Sequence, residues 1–140
     1  MTAVIGRDII NLEYFCMKGS FTMSNIIITD DEPLNIRMAE FVLRKNGYNT
    51  ISAHSGEECL CAVCGDTNLV LLDLLMPGID GLQTYERLRS INPQLPVIFL
   101  TSAEDSDALE KIKITGAPLV SKPFRPDTLL SVVRKALSAG

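Results

Sequence analysis

At 140 residues, with 46% apolar and 21% charged side chains, the chain is long enough for one domain with a real core and has an ordinary globular composition. A net charge of −4 argues against a sequence-independent nucleic-acid binder, which needs clustered Lys and Arg, and against an anionic membrane surface. No apolar stretch approaches the roughly 20 residues of a membrane span; Arg7, Asp8 and Glu13 interrupt the apolar start where a secretory signal needs an unbroken middle, so the cytoplasm is the expected compartment.

Residues 1–24 form a leader, expected to be accessory or disordered. Met23 offers an alternative start. Ile9, Leu12 and Cys16 also fall at helical spacing behind Asp8, which would suit a short amphipathic helix docked on the domain. From residue 25 onward, strand-like and helix-like segments alternate. Asn25–Thr29 is a β-branched strand. Leu34–Lys45 is an amphipathic helix with Pro33 at its start and Asn46-Gly47 at its end. Asn49–Ala53 is the second strand. Ser55 and Glu58 form a capping box for a helix reaching about Cys64. Leu69–Asp73 is the third strand, apolar as expected when both faces are covered.

Asp80 can cap a helix over Gly81–Ile91, closed by Asn92-Pro93. Val97–Thr101 is the fourth strand, and Asp105–Thr115 is a helix ended by Gly116. Leu119–Ser121 is a short fifth strand, and Pro126 or Asp127 opens a last helix to about Leu137. That helix carries Leu129, Leu130, Val132, Val133 and Leu137, which read either as deep packing or as a partner or dimer surface. Five βα units imply a doubly wound parallel α/β sheet over residues 25–140, with helices on both faces and right-handed crossovers.

Cys59, Cys61 and Cys64 form C-x-C-x-x-C, but a closed zinc site wants four ligands, and Cys59 and Cys61 face different sides of one helix. They read as reduced helix residues, and His54 as a loop residue.

In such a sheet, ligands bind beyond the carboxyl ends of the strands. There the first strand delivers Asp30, Asp31 and Glu32, and the third Asp73. The fourth delivers Thr101 and Ser102, and the fifth Lys122. A carboxylate at the end of an apolar run, as in LVLLDLLMPGIDG, costs several kcal/mol unless it is partnered. Crowded acids repel and raise at least one pKa. A hard divalent cation removes the conflict, because magnesium takes one or two carboxylates and bridges to phosphate oxygens. Two acids, a cation and a lysine facing a hydroxyl suit a tetrahedral, multiply charged group.

IIITDDEP (26–33), LVLLDLLMPGIDG (69–81), VIFLTSAED (97–105) and VSKPF (120–124), in this order and spacing over about residues 25–138, resemble the receiver domain of two-component response regulators. The resemblance implies a flavodoxin-like, CheY-like three-layer sandwich with strand order 2-1-3-4-5. It implies a signalling switch domain that assists its own phosphorylation and dephosphorylation rather than a conventional enzyme. Asp73 would be the phosphoacceptor, fed by a sensor histidine kinase or a histidine phosphotransfer protein. Asp30, Asp31, Asp73 and the backbone carbonyl of Leu75 would hold Mg2+ (or Mn2+), Asp30 through water. Thr101 would bond the phosphoryl group and Lys122 would pair with its charge. The Lys122-Pro123 bond is often cis in this family. Phosphorylation would repack the helix 4–strand 5–helix 5 surface, toward a downstream protein or a second copy and not toward nucleic acid or membrane.

The sequence departs from the family at Leu119, where many receivers carry an aromatic residue three positions before the lysine. GAPLVSK (116–122) is one residue shorter than the usual pattern, and Pro118 stiffens that loop. Leu75 and Ala103 occupy two positions that tune phosphoryl lifetime; neither can orient an attacking water, so a long-lived phosphoryl group is expected. Two rival readings are a pseudo-receiver used only for protein binding, which would lose the acids or the lysine, and a haloacid-dehalogenase-like phosphatase, which would need an acid where Leu75 stands. The chain carries no effector pattern after the last helix, so it reads as a stand-alone receiver or as part of a longer regulator.

Overall fold

The computed structural model describes residues 24–102 and 106–138, and the backbone of 2–5 and 8–11. Thr2–Ile5 (β1) and Asp8–Asn11 (β2) pair antiparallel as a two-stranded ribbon, from Thr2 opposite Asn11 to Ile5 opposite Asp8. Ile9 is therefore in a strand, so the helical spacing expected from it does not start there. Leu12 and Cys16 lie outside the described residues.

Five parallel strands make the main sheet: β3 (Asn25–Thr29), β4 (Asn49–Ala53), β5 (Thr67–Asp73), β6 (Val97–Thr101) and β7 (Leu119–Ser121). Their order is β4-β3-β5-β6-β7, which is second-first-third-fourth-fifth within this sheet, as the resemblance implied. Alternate side chains go to opposite faces. Ile26, Ile28, Leu69, Leu71, Ile98 and Leu100 pack beneath α1 (Pro33–Lys45) and α5 (Pro126–Ser138). Ile27, Val70, Leu72, Val97 and Phe99 join the core that includes Cys59, Leu88 and Ile112 of α2 (Gly56–Ala62), α3 (Gly81–Ile91) and α4 (Ser106–Thr115). Burial on both faces is why these strands are apolar without alternation.

The helix ends follow local chemistry. Pro33 sits in the first turn of α1, and Gly47 beyond its end takes φ +90°, a conformation open to glycine at little cost. Ser55 caps α2 by accepting from the Glu58 N–H at 3.0 Å. Glu58 does not return the bond to Ser55; it accepts from the His54 N–H at 2.9 Å, one residue further back. That helix stops at Ala62, two residues short of Cys64. Asp80 and Gln83 form a complete capping box on α3. The expected start of α4 at Asp105 lies outside the described residues, and β5 begins two residues earlier than expected, at Thr67. Leu129 and Val133 of α5 are fully buried, while Leu130, Val132 and Leu137 are half-buried against the same core, which uses up most of that helix's apolar surface. Among the described residues no helix is long and apolar enough to cross a membrane.

Candidate functional site

Because β3 and β5 are neighbours, Asp30 and Asp73 leave the sheet side by side. Asp30 follows β3, is fully buried, and anchors its own backbone through a 3.1 Å bond from its N–H to the Ala53 carbonyl. Its carboxylate accepts from the Glu32 N–H at 2.9 Å and from Asn35 Nδ2 at 3.2 Å. The first bond closes a tight side-chain turn that aims the chain into α1. Asp73 ends β5 with 3% of its surface exposed. Its Oδ1 accepts from the Leu75 N–H at 3.4 Å.

Lys122 ties the two acids together. Its Nζ lies 3.0 Å from Asp73 Oδ1 and 3.2 Å from Asp30 Oδ2. Its backbone N–H donates to the Thr101 carbonyl at 2.7 Å, so the lysine is positioned by sheet pairing carried one residue past β7. The Lys122-Pro123 peptide is cis. Thr101, buried at the end of β6, stands one residue beyond Leu100, the partner of Asp73 in the ladder.

Asp30, Asp31 and the exposed Asp31's neighbour across the rim, Asp73, each offer a carboxylate oxygen, and these lie within 4.8 Å of one another. Three carboxylates thus face one ammonium. Burial drives the Asp73 carboxyl up to about 6, and the Asp30 charge adds to it, while the Lys122 hydrogen bond pulls the other way. For Lys122, burial opposes the charge, but the Asp73 bond and the fields of both acids outweigh it and hold the ammonium above its ordinary value. A donor set of three hard oxygens, without His or Cys, fits a hard divalent cation rather than zinc or copper. Among the described residues no cysteine joins this cluster: Cys59 is buried in the core, while Cys61 and Cys64 are exposed. A groove of about 710 Å³, lined by Arg89, Leu95, Gly116 and Val132 among others, opens at the amino ends of β6 and β7, and none of the acids lines it.

Residues 26–134 match the response regulator receiver domain. The chain belongs to this family. The receiver is 40% identical over 116 residues to the uncharacterized transcriptional regulatory protein YkoG of Bacillus subtilis, covering 81% of this chain and 50% of that protein. It is 40% identical over 116 residues to the positive alginate biosynthesis regulatory protein of Pseudomonas aeruginosa, covering 80% of this chain and 46% of that protein. The chain spans about half the length of these relatives. Among solved structures, a receiver domain from Clostridium thermocellum superposes with a TM-score of 0.78 at 26% identity, covering 84% of this chain and 96% of that one. The chemotaxis protein CheY4 of Vibrio cholerae gives 0.75 at 27% identity, covering 83% and 100%.

The receiver brings together Asp30, Asp31, Asp73 and Lys122 as the strand ends foretold, with Thr101 at the same rim. Leu75 is half exposed, and Ala103 lies outside the described residues. Asn35 was not foreseen. Five residues after Asp30, in the first turn of a helix, it carries no motif of its own, and only the turn at Asp30 brings it back to the carboxylate.

Proposed function

We propose that this receiver takes a phosphoryl group on Asp73 from the phosphohistidine of a sensor histidine kinase or a histidine phosphotransfer protein. The observation that supports it most is the Lys122 ammonium bridging two buried carboxylates inside a cluster of three acids, two more than that ammonium can balance. Asp30, Asp31, Asp73 and the Leu75 carbonyl would hold Mg2+ (or Mn2+). Bound there, the ion would supply positive charge to offset the repulsion between the acids and an incoming phosphoryl group.

The ionised Asp73 carboxylate attacks phosphorus, the phosphorus–nitrogen bond breaks, and the imidazole leaves with its electron pair. Lys122, already 3.0 Å from the nucleophile, offsets the repulsion between carboxylate and phosphoryl oxygens and then pairs with the product. The product is an acyl phosphate, which water later cleaves to phosphate and the free carboxylate. Thr101 donates its hydroxyl to the phosphoryl group and draws the end of β6 with it, shifting the population of the α4–β7–α5 surface toward a second state. Leu119, half exposed on β7, leaves that shift without an aromatic partner. The repacked surface then serves a downstream protein or a second copy. The receiver thus acts as a cytoplasmic switch that assists its own phosphorylation and dephosphorylation, with residues 1–24 accessory to it.

Incubation with acetyl phosphate and Mg2+, followed by intact mass measurement, tests this. Wild type should gain one phosphoryl group and Asp73→Asn none. No gain in wild type, or an equal gain in the variant, would overturn the assignment.

A further inference from the structure

The rim residues hold their geometry only if the backbone beneath Asp73 is fixed. Just past Asp73, the Leu74 N–H donates to the Leu100 carbonyl at 2.9 Å, and the Leu74 carbonyl accepts from the Gly81 N–H at 2.9 Å. The chain thus leaves the sheet, makes the 75–80 loop and returns so that the first residue of α3 lies on the strand end. The contact is backbone on backbone. A Cβ at Gly81 would fall closer to the Asp73 carbonyl oxygen than real Cβ atoms come, and 2.7 Å from Leu74 Cα. Neither atom belongs to a side chain that could swing away.

A second glycine braces the same helix from behind. Gly56, the first residue of α2, is buried, and a Cβ there would collide with Thr84 Oγ1 and lie 2.7 Å from Ile79 Cγ1. Thr84 is one turn along α3, fully buried, and its hydroxyl donates to the Asp80 carbonyl at 2.8 Å. Gly81, Thr84 and Leu88 are the buried residues of α3, so the stripe that faces inward begins with the glycine on the strand end.

We propose that Gly81 is a positioning residue for the phosphoacceptor: α3 seats directly on the Asp73–Leu74 backbone, and Gly56 of α2 keeps it there by meeting Ile79 and Thr84. The seat sets where the Asp73 carboxylate points relative to Asp30, Asp31 and Lys122. A methyl at position 81 must move either the helix or the strand end by about an ångström, and misplacement on that scale costs one to two orders of magnitude in metal affinity or rate. This inference rests on the assignment of Asp73 as phosphoacceptor and metal ligand.

The test compares Gly81→Ala with wild type well below both melting temperatures. It uses Mg2+ titration, the phosphorylation rate from acetyl phosphate at saturating Mg2+, and the shift of the Leu75 amide, whose N–H reports on Asp73 Oδ1. The variant should lose at least about tenfold in Mg2+ affinity and in rate, with a displaced Leu75 amide. A folded variant with wild-type affinity, rate and amide shift would overturn the role. If Gly81→Ala gives no cooperative melt, Gly56→Ala carries the test, because its clash is with side chains that can give. It should lower Mg2+ affinity several-fold, and Thr84→Ala in the same chain, which makes room for the new methyl, should restore it. A lower melting temperature with unchanged affinity would overturn the brace. A wild type that binds no Mg2+ and takes no phosphate would instead sink the parent assignment.

Discussion

The two ends of the same three strands are built from different chemistry. At the amino ends of β3, β4 and β5, neutral amides satisfy one another. Asn25 offers its N–H to Asn68 Oδ1 at 2.8 Å and its Nδ2 to the Asp66 carbonyl at 2.9 Å, and Asn49 Nδ2 donates to Asn25 Oδ1 at 3.0 Å. Asn68 is the residue by which β5 slips out of register with β3, and its side chain replaces the ladder bond lost there. At the carboxyl ends, about five residues away, stand Asp30 and Asp73, buried, with Asp31 beside them and one lysine between. The amide end closes its own accounts. The acid end carries an excess of negative charge that the fold itself does not neutralise, which is the arrangement a bound cation and a transferred phosphoryl group would complete.

Removing the nucleophile should break that contrast most completely. Asp73→Asn is expected to lower phosphoryl uptake by more than about 10³-fold, checked by phosphorylation kinetics with acetyl phosphate. Lys122→Met leaves two buried acids without their ammonium. It should cost about 3 kcal/mol in metal-free denaturant melts and slow phosphorylation by about 10²-fold. At the other end, Asn25→Ala removes two hydrogen bonds of a partly exposed amide, so urea melts should show a loss of about 1 kcal/mol with the phosphorylation rate unchanged. A fall in rate for Asn25→Ala would show that the two ends are not separable.

The pH dependence sharpens the same comparison. The Asp73 carboxyl, ordinarily near 3.8, sits at about 6 in the folded, metal-free chain, so the native state holds the extra proton between those values. The stability this gives is complete below the ordinary value and is lost as pH rises through about 6. The melting temperature of wild type should therefore fall relative to Asp73→Asn across that window and run parallel to it above. Saturating Mg2+ should stabilise wild type above that window. The smallest expected effect is at the rim: Leu75→Asn should speed dephosphorylation a few-fold, because an amide can orient the attacking water. An unchanged decay rate would remove the case for a long-lived phosphoryl group.

Much of this is legible in the sequence alone, for physical reasons. Asp73 and Thr101 each end a strand and Asp30 and Lys122 each follow one, and in a parallel sheet the strand ends arrive at the same rim, so spacing in sequence becomes proximity in space. The helix caps at Ser55 and Asp80 were equally local. What could not be read was set by contacts distant in sequence or by a competing local bond. Glu58 turned to the His54 amide instead of completing its box. Asn35 reached the carboxylate only through the turn before α1. Asn68 stands one residue before the expected strand, and it meets Asn25 only because β5 begins at Thr67 and slips against β3. Gly81 read simply as the start of a helix, and nothing in its neighbours announced that the helix would sit on the Asp73 backbone.

The most direct measurement is chemical mapping of the phosphorylated residue. Borohydride reduces an acyl phosphate to the alcohol, so the phosphorylated chain, reduced and digested, should yield homoserine at position 73 and unchanged aspartate at positions 30 and 31. Homoserine at 30 or 31, or none anywhere in a chain that has gained phosphate, would contradict the account.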